Sequence, residues 1–236
     1  MSNSADLRAR LTDIRARIAR AAGRAGRDPA SVRLVAVSKT FPAEYVRAAA
    51  EAGQIDFGEN KVQDALDKMD QVADLPLRWH LVGHLQSNKV KRAGRFDVVH
   101  SIDEAAKVTR LDASARAAGR RIDLLVQVDL AGEPTKHGAR EEELAGIFDA
   151  ARTATDARVV GLMLMPPAVE QPDAARVYFR ELRAIRDRLS AVGISPGMLT
   201  ELSMGMSHDF EVAIEEGATL VRVGTAIFGG RGQTGV

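Results

Sequence analysis

The chain has 236 residues, no cysteine and nearly balanced charge, with 33 lysines and arginines against 32 aspartates and glutamates. The absence of cysteine excludes disulfides, thiolate catalysis and cysteine-ligated metals, and the charge balance does not favour nucleic-acid binding. No apolar run approaches membrane-spanning length, and no secretory signal is present, so we expect a soluble cytoplasmic protein that binds neither nucleic acid nor membrane.

The first segment predicts an amphipathic helix. Leu7, Leu11, Ile14 and Ile18 recur at helical spacing, with arginines between them. An Arg-rich amphipathic N-terminus is also typical of a mitochondrial transit peptide, but such peptides are poor in acids and this segment contains several aspartates. We therefore expect a helix that lies on the domain with its arginines in water.

Eight strand-like runs follow, most of them succeeded by a helical stretch. The runs span 32–38, 55–58, 77–83, 97–102, 123–130, 158–165, 198–204 and 219–224. One predicted helix begins at Pro42 and stops near Gly53, and another begins at Asp103 as its cap and ends at Gly119. The remaining predicted helices cover 140–153, 173–193 and 207–217.

This alternation predicts an α/β fold, a single (β/α)8 TIM-type barrel over residues 1–236 with an extra N-terminal helix. An open doubly wound sheet is the alternative, but it would carry a glycine-rich turn after the first strand, where this chain has Ser-Lys-Thr. Because the last strand ends close to the C-terminus, no second domain is expected to follow.

Lys39 is the first candidate functional residue. In the stretch VRLVAVSKTFP it comes directly after a buried strand, at the end of the barrel where active sites of this fold lie. A free lysine has a pKa of about 10.4, and desolvation or a nearby cation such as Arg222 would lower that value enough for imine formation with a carbonyl. The alternative is a surface lysine whose head group stays in water.

The ends of the last two strands predict a phosphate site. LSMGMSHD brings Gly205 and Ser207 after strand seven, and TLVRVGTAIFGG brings Gly224 and Thr225 to the end of strand eight. Loops at these positions are the usual phosphate site of the fold, since glycine admits an anion to the backbone and hydroxyls donate hydrogen bonds. Ser207 could instead be only a helix cap. Together with a lysine, the set suggests a phosphorylated ligand that carries a carbonyl.

Six stretches of the chain closely resemble the pyridoxal phosphate homeostasis protein family: AVSKTFP, DFGENKVQD, WHLVGHLQSNK, GLMLMP, ELSMGMSHDFEVAIEEGAT and VRVGTAIFG. These proteins are single-domain relatives of the N-terminal barrel of alanine racemase, often called fold-type III. The resemblance covers roughly residues 5–230. It implies that the chain binds pyridoxal 5'-phosphate and helps to regulate the intracellular supply of that cofactor.

The resemblance also implies roles for individual residues. Lys39 resembles the lysine that forms the internal aldimine, a Schiff base with the cofactor, and Arg222 resembles the arginine that faces the pyridine nitrogen. The phosphate-binding set is Ser207, Gly224 and Thr225. Further residues fall in motifs that line the same pocket, namely Asn60, His80, Ser203 and Met204, and Lys136 matches a lysine at the pocket mouth.

These roles favour a cofactor-binding protein over a substrate-converting enzyme. A guanidinium only donates, so the ring nitrogen stays neutral and stabilises a carbanion weakly. The second acid–base group of alanine racemase is a tyrosine from a C-terminal β-domain that this chain lacks, and Tyr45 and Tyr178 fall inside predicted helices. The remaining acid–base candidates are His80, His84, Lys136 and His208.

Two other functions stay open at this point. An amino-acid racemase or lyase would use the same aldimine, and a Schiff-base aldolase would use Lys39 directly on a sugar phosphate without a cofactor. For the favoured function we expect acceptor apo-enzymes as partners. We also expect a monomer, because the dimer interface of alanine racemase uses the missing domain.

The pair His80 and His84 raises the question of a metal. The two residues share a face of a strand, but no third ligand with suitable spacing is visible. We therefore expect no metal site, with one histidine packed in the pocket and the other in the turn.

Overall fold

A computed structural model describes residues 4–130 and 137–230. Eight parallel strands form a closed barrel in chain order, and β1 pairs with β8 to complete it. The predicted barrel is confirmed, with every strand within a few residues of its expected position. The strands are β1 Arg33–Val37, β2 Asp56–Glu59, β3 Arg78–Leu81, β4 Val98–Ile102, β5 Ile122–Val128, β6 Ala157–Leu164, β7 Glu201–Met206 and β8 Leu220–Val223.

The helices surround the barrel, and three of them, over residues 62–71, 90–93 and 225–228, add to those predicted. Glycines end α2 and α5, because Gly53 and Gly119 adopt φ values of +79° and +63° in the left-handed region that glycine enters readily. The helices are α1 Ser4–Arg24, α2 Ala43–Glu51, α3 Val62–Gln71, α4 Val90–Ala93, α5 Ala105–Ala117, α6 Glu141–Arg152, α7 Arg176–Ala191, α8 Phe210–Glu215 and α9 Thr225–Phe228.

The predicted cap at Asp103 is wrong. Helix α5 begins at Ala105 after Glu104, and no side chain caps it. Asp103 instead accepts a hydrogen bond from Lys107 Nζ at 2.6 Å, one helical turn further on. The carboxylate therefore has a buried ammonium as its partner in place of the backbone amides at the start of the helix.

Helix α1 fills a position in the outer ring. The helix after β8 is only four residues long, and α1 packs against α8, α9 and α2, covering the place a longer final helix would take. Its buried residues include Leu7, Leu11, Ile14 and Ile18, as predicted. Its arginines are not simply in water, however: Arg17 pairs with Glu211 at 3.1 Å, and others reach α8 and the end of α2.

The core has two layers that follow the alternation of side chains along each strand. One layer fills the barrel itself, with Val35 and Val37 of β1 among its members. The larger layer lies between the strands and the helices and takes the alternate positions, such as Leu34 and Ala36. Within residues 4–130 and 137–230, we find no helix with the length and apolar character needed to cross a bilayer.

Candidate functional site

A cavity of about 420 Å³ opens at the carboxyl ends of the strands. This volume lies within the usual range for small-molecule sites, and the position is where active sites of this barrel fold lie. Its lining comes from the ends of seven of the eight strands and the loops after them, with none from β4. The lining residues are Val37, Lys39, Asn60, Val82, Gly83, His84, Gln127, His137, Met165, Met206, Ser207, His208, Arg222, Gly224 and Thr225.

Lys39 lies at the mouth of this cavity, two residues after β1, and its side chain is exposed. The cation Arg222 lines the same cavity. The next residue, Thr40, adopts φ 70°, a conformation that β-branched residues rarely take, and the chain turns there from β1 towards α2.

A buried ion pair holds the backbone just before Lys39. Lys68 Nζ lies 2.5 Å from Glu59 Oε1 and also donates to the carbonyl oxygen of Ser38 at 2.7 Å. The Ser38 hydroxyl donates to the same Glu59 oxygen at 2.7 Å. Burial raises the pKa of the Glu59 carboxyl, while Lys68 and Ser38 oppose that shift by stabilising the carboxylate. The end of β1, and with it the base of the lysine, is thereby fixed to β2 and α3.

The predicted phosphate site contains a ready set of backbone donors. Ser207 Oγ accepts hydrogen bonds from the amides of Gly224, at 3.1 Å, and Ala226, at 3.4 Å, where α9 begins. Helix α8 begins after Asp209 instead, so Ser207 is not a cap of that helix. A Cβ at position 224 would lie 3.1 Å from the carbonyl oxygen of Val37, which shows how closely the backbones approach here.

An irregularity in β7 brings Ser207 to this place. Between the pairs Ser203–Leu220 and Met206–Arg222, β7 advances three residues while β8 advances two, so β7 contains one extra residue. Gly205 lies within it at φ +91°, where a Cβ would come within 2.6 Å of the Cβ of Ala213. Only glycine satisfies both the backbone conformation and the close contact.

Arg222 forms part of the cavity floor and is almost fully buried, at 4% exposure. Its guanidinium donates to Ser203 Oγ at 2.5 Å and to the carbonyl oxygen of Leu164 at 2.8 Å. Burial lowers the pKa of Arg222 to about 10, partly opposed by the field of Asp209. At neutral pH the group therefore remains a cation inside the barrel, as expected from the sequence.

Most of the predicted site residues come together in this cavity: Lys39, Asn60, Ser207, Arg222, Gly224 and Thr225 all line it. His80 does not, because it lies deeper in the barrel, fully buried and hydrogen-bonded to His100 and Asp56. Met204 does not either, since it packs in the layer between strands and helices. The extra residue in β7 reverses the alternation after it, so Met206 lines the cavity in its place.

Several lining residues were not predicted. Gln127 is a polar residue inside the apolar run of β5, and that interruption was a signal that could have identified it. Its side-chain amide donates to the carbonyl oxygen of His137, which also lines the cavity and which no pattern in the sequence indicates. Lys136, expected at the pocket mouth, lies outside the described residues.

The two histidines considered as a metal pair are separated. His80 is buried in the barrel, whereas His84 is exposed at the cavity mouth and stacks on His137, with ring centroids 3.5 Å apart. Asp103 completes a group whose possible ligand atoms lie within 4.8 Å of one another. The Lys107 ammonium already lies 2.6 Å from that carboxylate, which opposes the binding of a further cation there.

The closed barrel and the cavity at the carboxyl ends of its strands are shared with a class of barrel proteins that has known members. Residues 10–232 match the family described as alanine racemase, N-terminal domain. The chain is 42% identical over 224 residues to the pyridoxal phosphate homeostasis protein of Aquifex aeolicus, covering 94% of this chain and 97% of that protein. It is 44% identical over 222 residues to the protein of the same name from Pseudomonas aeruginosa, covering 94% of each. The chain belongs to the pyridoxal phosphate homeostasis protein family.

Solved structures agree with this assignment. PipY of Synechococcus elongatus, in a structure with pyridoxal phosphate bound, is 38% identical, with a TM-score of 0.83 over 94% of this chain and all of that one. An alanine racemase of Clostridium difficile is only 11% identical, with a TM-score of 0.72, and this chain covers 58% of it. That second likeness shows the fold alone.

Proposed function

We propose that this chain binds pyridoxal 5'-phosphate in the cavity at the carboxyl ends of its strands and serves intracellular pyridoxal phosphate homeostasis. The observation that carries the proposal is the meeting, in one cavity, of an exposed lysine amine, a buried arginine and the amides at the start of α9. Relatives that share 42–44% of its sequence have the name pyridoxal phosphate homeostasis protein.

The residues present suit the charged end of the cofactor. The amides of Gly224 and Ala226 hold Ser207 Oγ in place by donating to it, and the Ser207 hydroxyl can itself donate to a phosphate oxygen at that point. The Thr225 side chain is exposed at the same rim and offers a further hydroxyl. Because Gly224 has no side chain, an anion can approach its backbone closely.

Lys39 supplies the amine that would hold the aldehyde carbon of the cofactor as a Schiff base. Its base is fixed by the Lys68–Glu59 pair, whereas its exposed amine remains accessible to ligands that enter the cavity. An accessible anchor of this kind suits a protein that takes up and releases its cofactor. We propose that acceptor apo-enzymes receive it, and that the chain acts as a monomer in the cytoplasm.

Arg222 supports holding the cofactor over transforming an amino acid. When bound, pyridoxal phosphate withdraws electrons from a substrate carbon most strongly if its ring nitrogen is protonated. With its pKa at about 10, Arg222 stays protonated at neutral pH and donates hydrogen bonds, so it does not supply the acidic partner that would keep the ring nitrogen charged. The two tyrosines, Tyr45 on α2 and Tyr178 on α7, lie on helices of the outer ring.

The alternative, an amino-acid racemase or lyase at the same site, has three histidines as acid–base candidates in the described cavity, namely His84, His137 and His208. Exchange of the α-proton separates the two functions. For a homeostasis protein we expect amino acids incubated in heavy water with the cofactor-loaded chain to keep their α-proton. Exchange that depends on Lys39 would establish the alternative.

The first test is an absorption spectrum of the protein incubated with pyridoxal phosphate, before and after borohydride reduction, followed by peptide mass mapping. We expect a visible band that reduction removes, with the added mass on the peptide that contains Lys39. Lys39→Ala should lose both signals, and Lys61→Ala, at an exposed lysine outside the cavity lining, should keep them. A wild-type protein that gains neither band nor mass at Lys39 would refute the proposal.

A further inference from the structure

A series of four hydrogen bonds, here called the relay, crosses the inside of the barrel below the cavity. It runs from Arg222 to Ser203 Oγ at 2.5 Å, from Ser203 to His100 Nδ1 at 2.9 Å, from His100 Nε2 to His80 Nδ1 at 2.9 Å, and from His80 Nε2 to Asp56 Oδ1 at 2.9 Å. The members come from β8, β7, β4, β3 and β2. The relay therefore joins the cavity floor to the first residue of β2, at the opposite face of the barrel.

Each link of this relay has one possible direction when both imidazoles are neutral. The Asp56 carboxylate only accepts, so His80 Nε2 carries the proton and its Nδ1 accepts from His100 Nε2. His100 Nδ1 is then an acceptor and receives a hydrogen bond from the Ser203 hydroxyl. The Ser203 oxygen accepts from Arg222, which can only donate. Both ends require the same order, and every donor meets an acceptor.

Burial keeps the two imidazoles neutral. Both histidines have no exposed surface, and desolvation lowers the pKa of His80 and lowers that of His100 well below its ordinary value. The neighbouring cations Arg33 and Arg222 act in the same direction on His100, while Asp56 opposes the shift on His80. Two neutral imidazoles of the same Nε2–H tautomer are the state that this arrangement favours.

The common direction of these hydrogen bonds also offsets part of the free-energy cost of burying the Arg222 cation. The two described hydrogen-bond partners of the Arg222 guanidinium, Ser203 Oγ and the carbonyl of Leu164, are both neutral. In the relay every donor points away from Arg222 and towards Asp56, so the lone-pair end of each dipole faces the guanidinium. Linked hydrogen bonds polarise one another in a low-dielectric interior, which extends the influence of the distant carboxylate to the cation.

We propose that Ser203, His100 and His80 are positioning residues that orient the Arg222 guanidinium in the cavity floor and couple it to Asp56. The relay itself is a property of the cofactor-free protein. Its consequence for pyridoxal phosphate, a cation held in a fixed position below the ring, rests on the function proposed above.

The first test needs no cofactor. The chain has five histidines, so long-range ¹H–¹⁵N correlation spectra of ¹⁵N-histidine protein resolve each ring, with assignment by single substitutions. We expect His80 and His100 to be neutral Nε2–H tautomers at neutral pH, and to gain a proton only below the ordinary pKa of histidine. Finding either ring as the Nδ1–H tautomer, or protonated at neutral pH, would overturn the relay.

The second test uses the far end of the relay. Asp56→Asn keeps an oxygen acceptor for His80 but removes the charge, so the fold is preserved and the polarisation of the relay is lost. We expect affinity for pyridoxal phosphate to fall about threefold to tenfold, with a shift of the cofactor's absorption band. Asp123→Asn is the matched control, since Asp123 pairs with Arg158 and Arg78 at the same face but lies outside the relay.

Equal effects of the two aspartate variants would show a general field or stability effect and would refute the coupling. Ser203→Ala, which removes the link next to Arg222, should weaken binding at least about tenfold. If wild-type protein does not bind the cofactor at all, the proposed function fails, while the tautomers of His80 and His100 still decide whether the relay exists.

Discussion

The hydroxyl oxygen of Ser207 accepts a hydrogen bond from the backbone amide of Gly224 at 3.1 Å, which joins the loops after β7 and β8. This bond brings a side-chain oxygen to the point where the α9 amides converge, directly beside the cavity. The same hydroxyl can donate a hydrogen bond to a phosphate oxygen, so its removal affects one end of the ligand only.

We therefore expect Ser207→Ala to weaken binding of pyridoxal phosphate at least about tenfold, because a hydrogen bond to a charged group contributes about 1.5–3 kcal/mol. Pyridoxal, which lacks the phosphate, should bind to the variant within about twofold of its wild-type affinity. Equilibrium titrations followed by absorbance measure both ligands. Ser190→Ala, an exposed serine on α7, is the control, and an equal loss for both ligands would contradict the assignment.

The buried pair below Lys39 makes a prediction about stability. Lys68→Met leaves the Glu59 carboxyl, 1% exposed at its side chain, without its cation, and we expect a loss of about 3–5 kcal/mol in the free energy of unfolding. Urea unfolding followed by circular dichroism measures it. Lys61→Met, one residue before α3 and exposed, should change stability by less than about 0.5 kcal/mol.

A double variant, Lys68→Met with Glu59→Gln, checks the origin of that loss. If the uncompensated carboxylate is the cause, the double variant is more stable than Lys68→Met alone. A Lys68→Met protein as stable as the Lys61→Met control would show that the pair does not hold the end of β1.

Gly205 offers a second stability test. With φ at +91° and a Cβ that would lie 2.6 Å from the Cβ of Ala213, Gly205→Ala combines backbone strain with overpacking, and we expect a loss of about 2–4 kcal/mol. Gly197→Ala is the matched control, because its Cβ would have no neighbour closer than 3.9 Å. Thermal unfolding of both variants decides the matter, and equal melting temperatures would contradict the role given to the β7 irregularity.

The two buried histidines predict how stability depends on pH. Because burial lowers the pKa of His80 and of His100 in the folded protein, the unfolded chain binds more protons once the pH falls below about 6.5. The free energy of unfolding should therefore fall with decreasing pH, with a limiting slope of about 1.4 kcal/mol per pH unit for each histidine that is protonated only in the unfolded chain. Replacing His100 with Asn should remove one such contribution from the slope.

Urea titrations at a series of pH values measure this slope. A slope that is the same in the His100→Asn variant and in wild type would show that His100 binds a proton equally in both states.

The barrel and most of its cavity could be predicted from the sequence, because both depend on local pattern. Eight apolar runs with intervening helices specify parallel strands, and the carboxyl end of each run indicates which residues meet at one face. Lys39, Ser207 and Arg222 were accessible in this way, since each lies at or near a strand end. The family resemblance then assigned their roles.

The features that the sequence did not indicate depend on the register between strands and on how deep a side chain lies in the barrel. One extra residue in β7 moves Met206 into the cavity and leaves Met204 outside, and no local sequence pattern predicts such an irregularity. His80 was placed in the pocket because it lies near a strand end, yet its ring points below the floor to His100, which is 20 residues away in the chain. Contacts of that kind come only from the closed barrel.

The packing of α1 on α8 and α9 has a consequence for biosynthesis. Helix α1 packs on α2, which follows it closely in the chain, but also on α8 and α9, which are made more than 180 residues later, at Phe210–Glu215 and Thr225–Phe228. Such distant contacts slow folding, and the unfinished chain exposes the part of the apolar stripe of α1 that α8 and α9 later cover. The nascent protein therefore has to keep its first helix from self-association until its last strand closes the barrel.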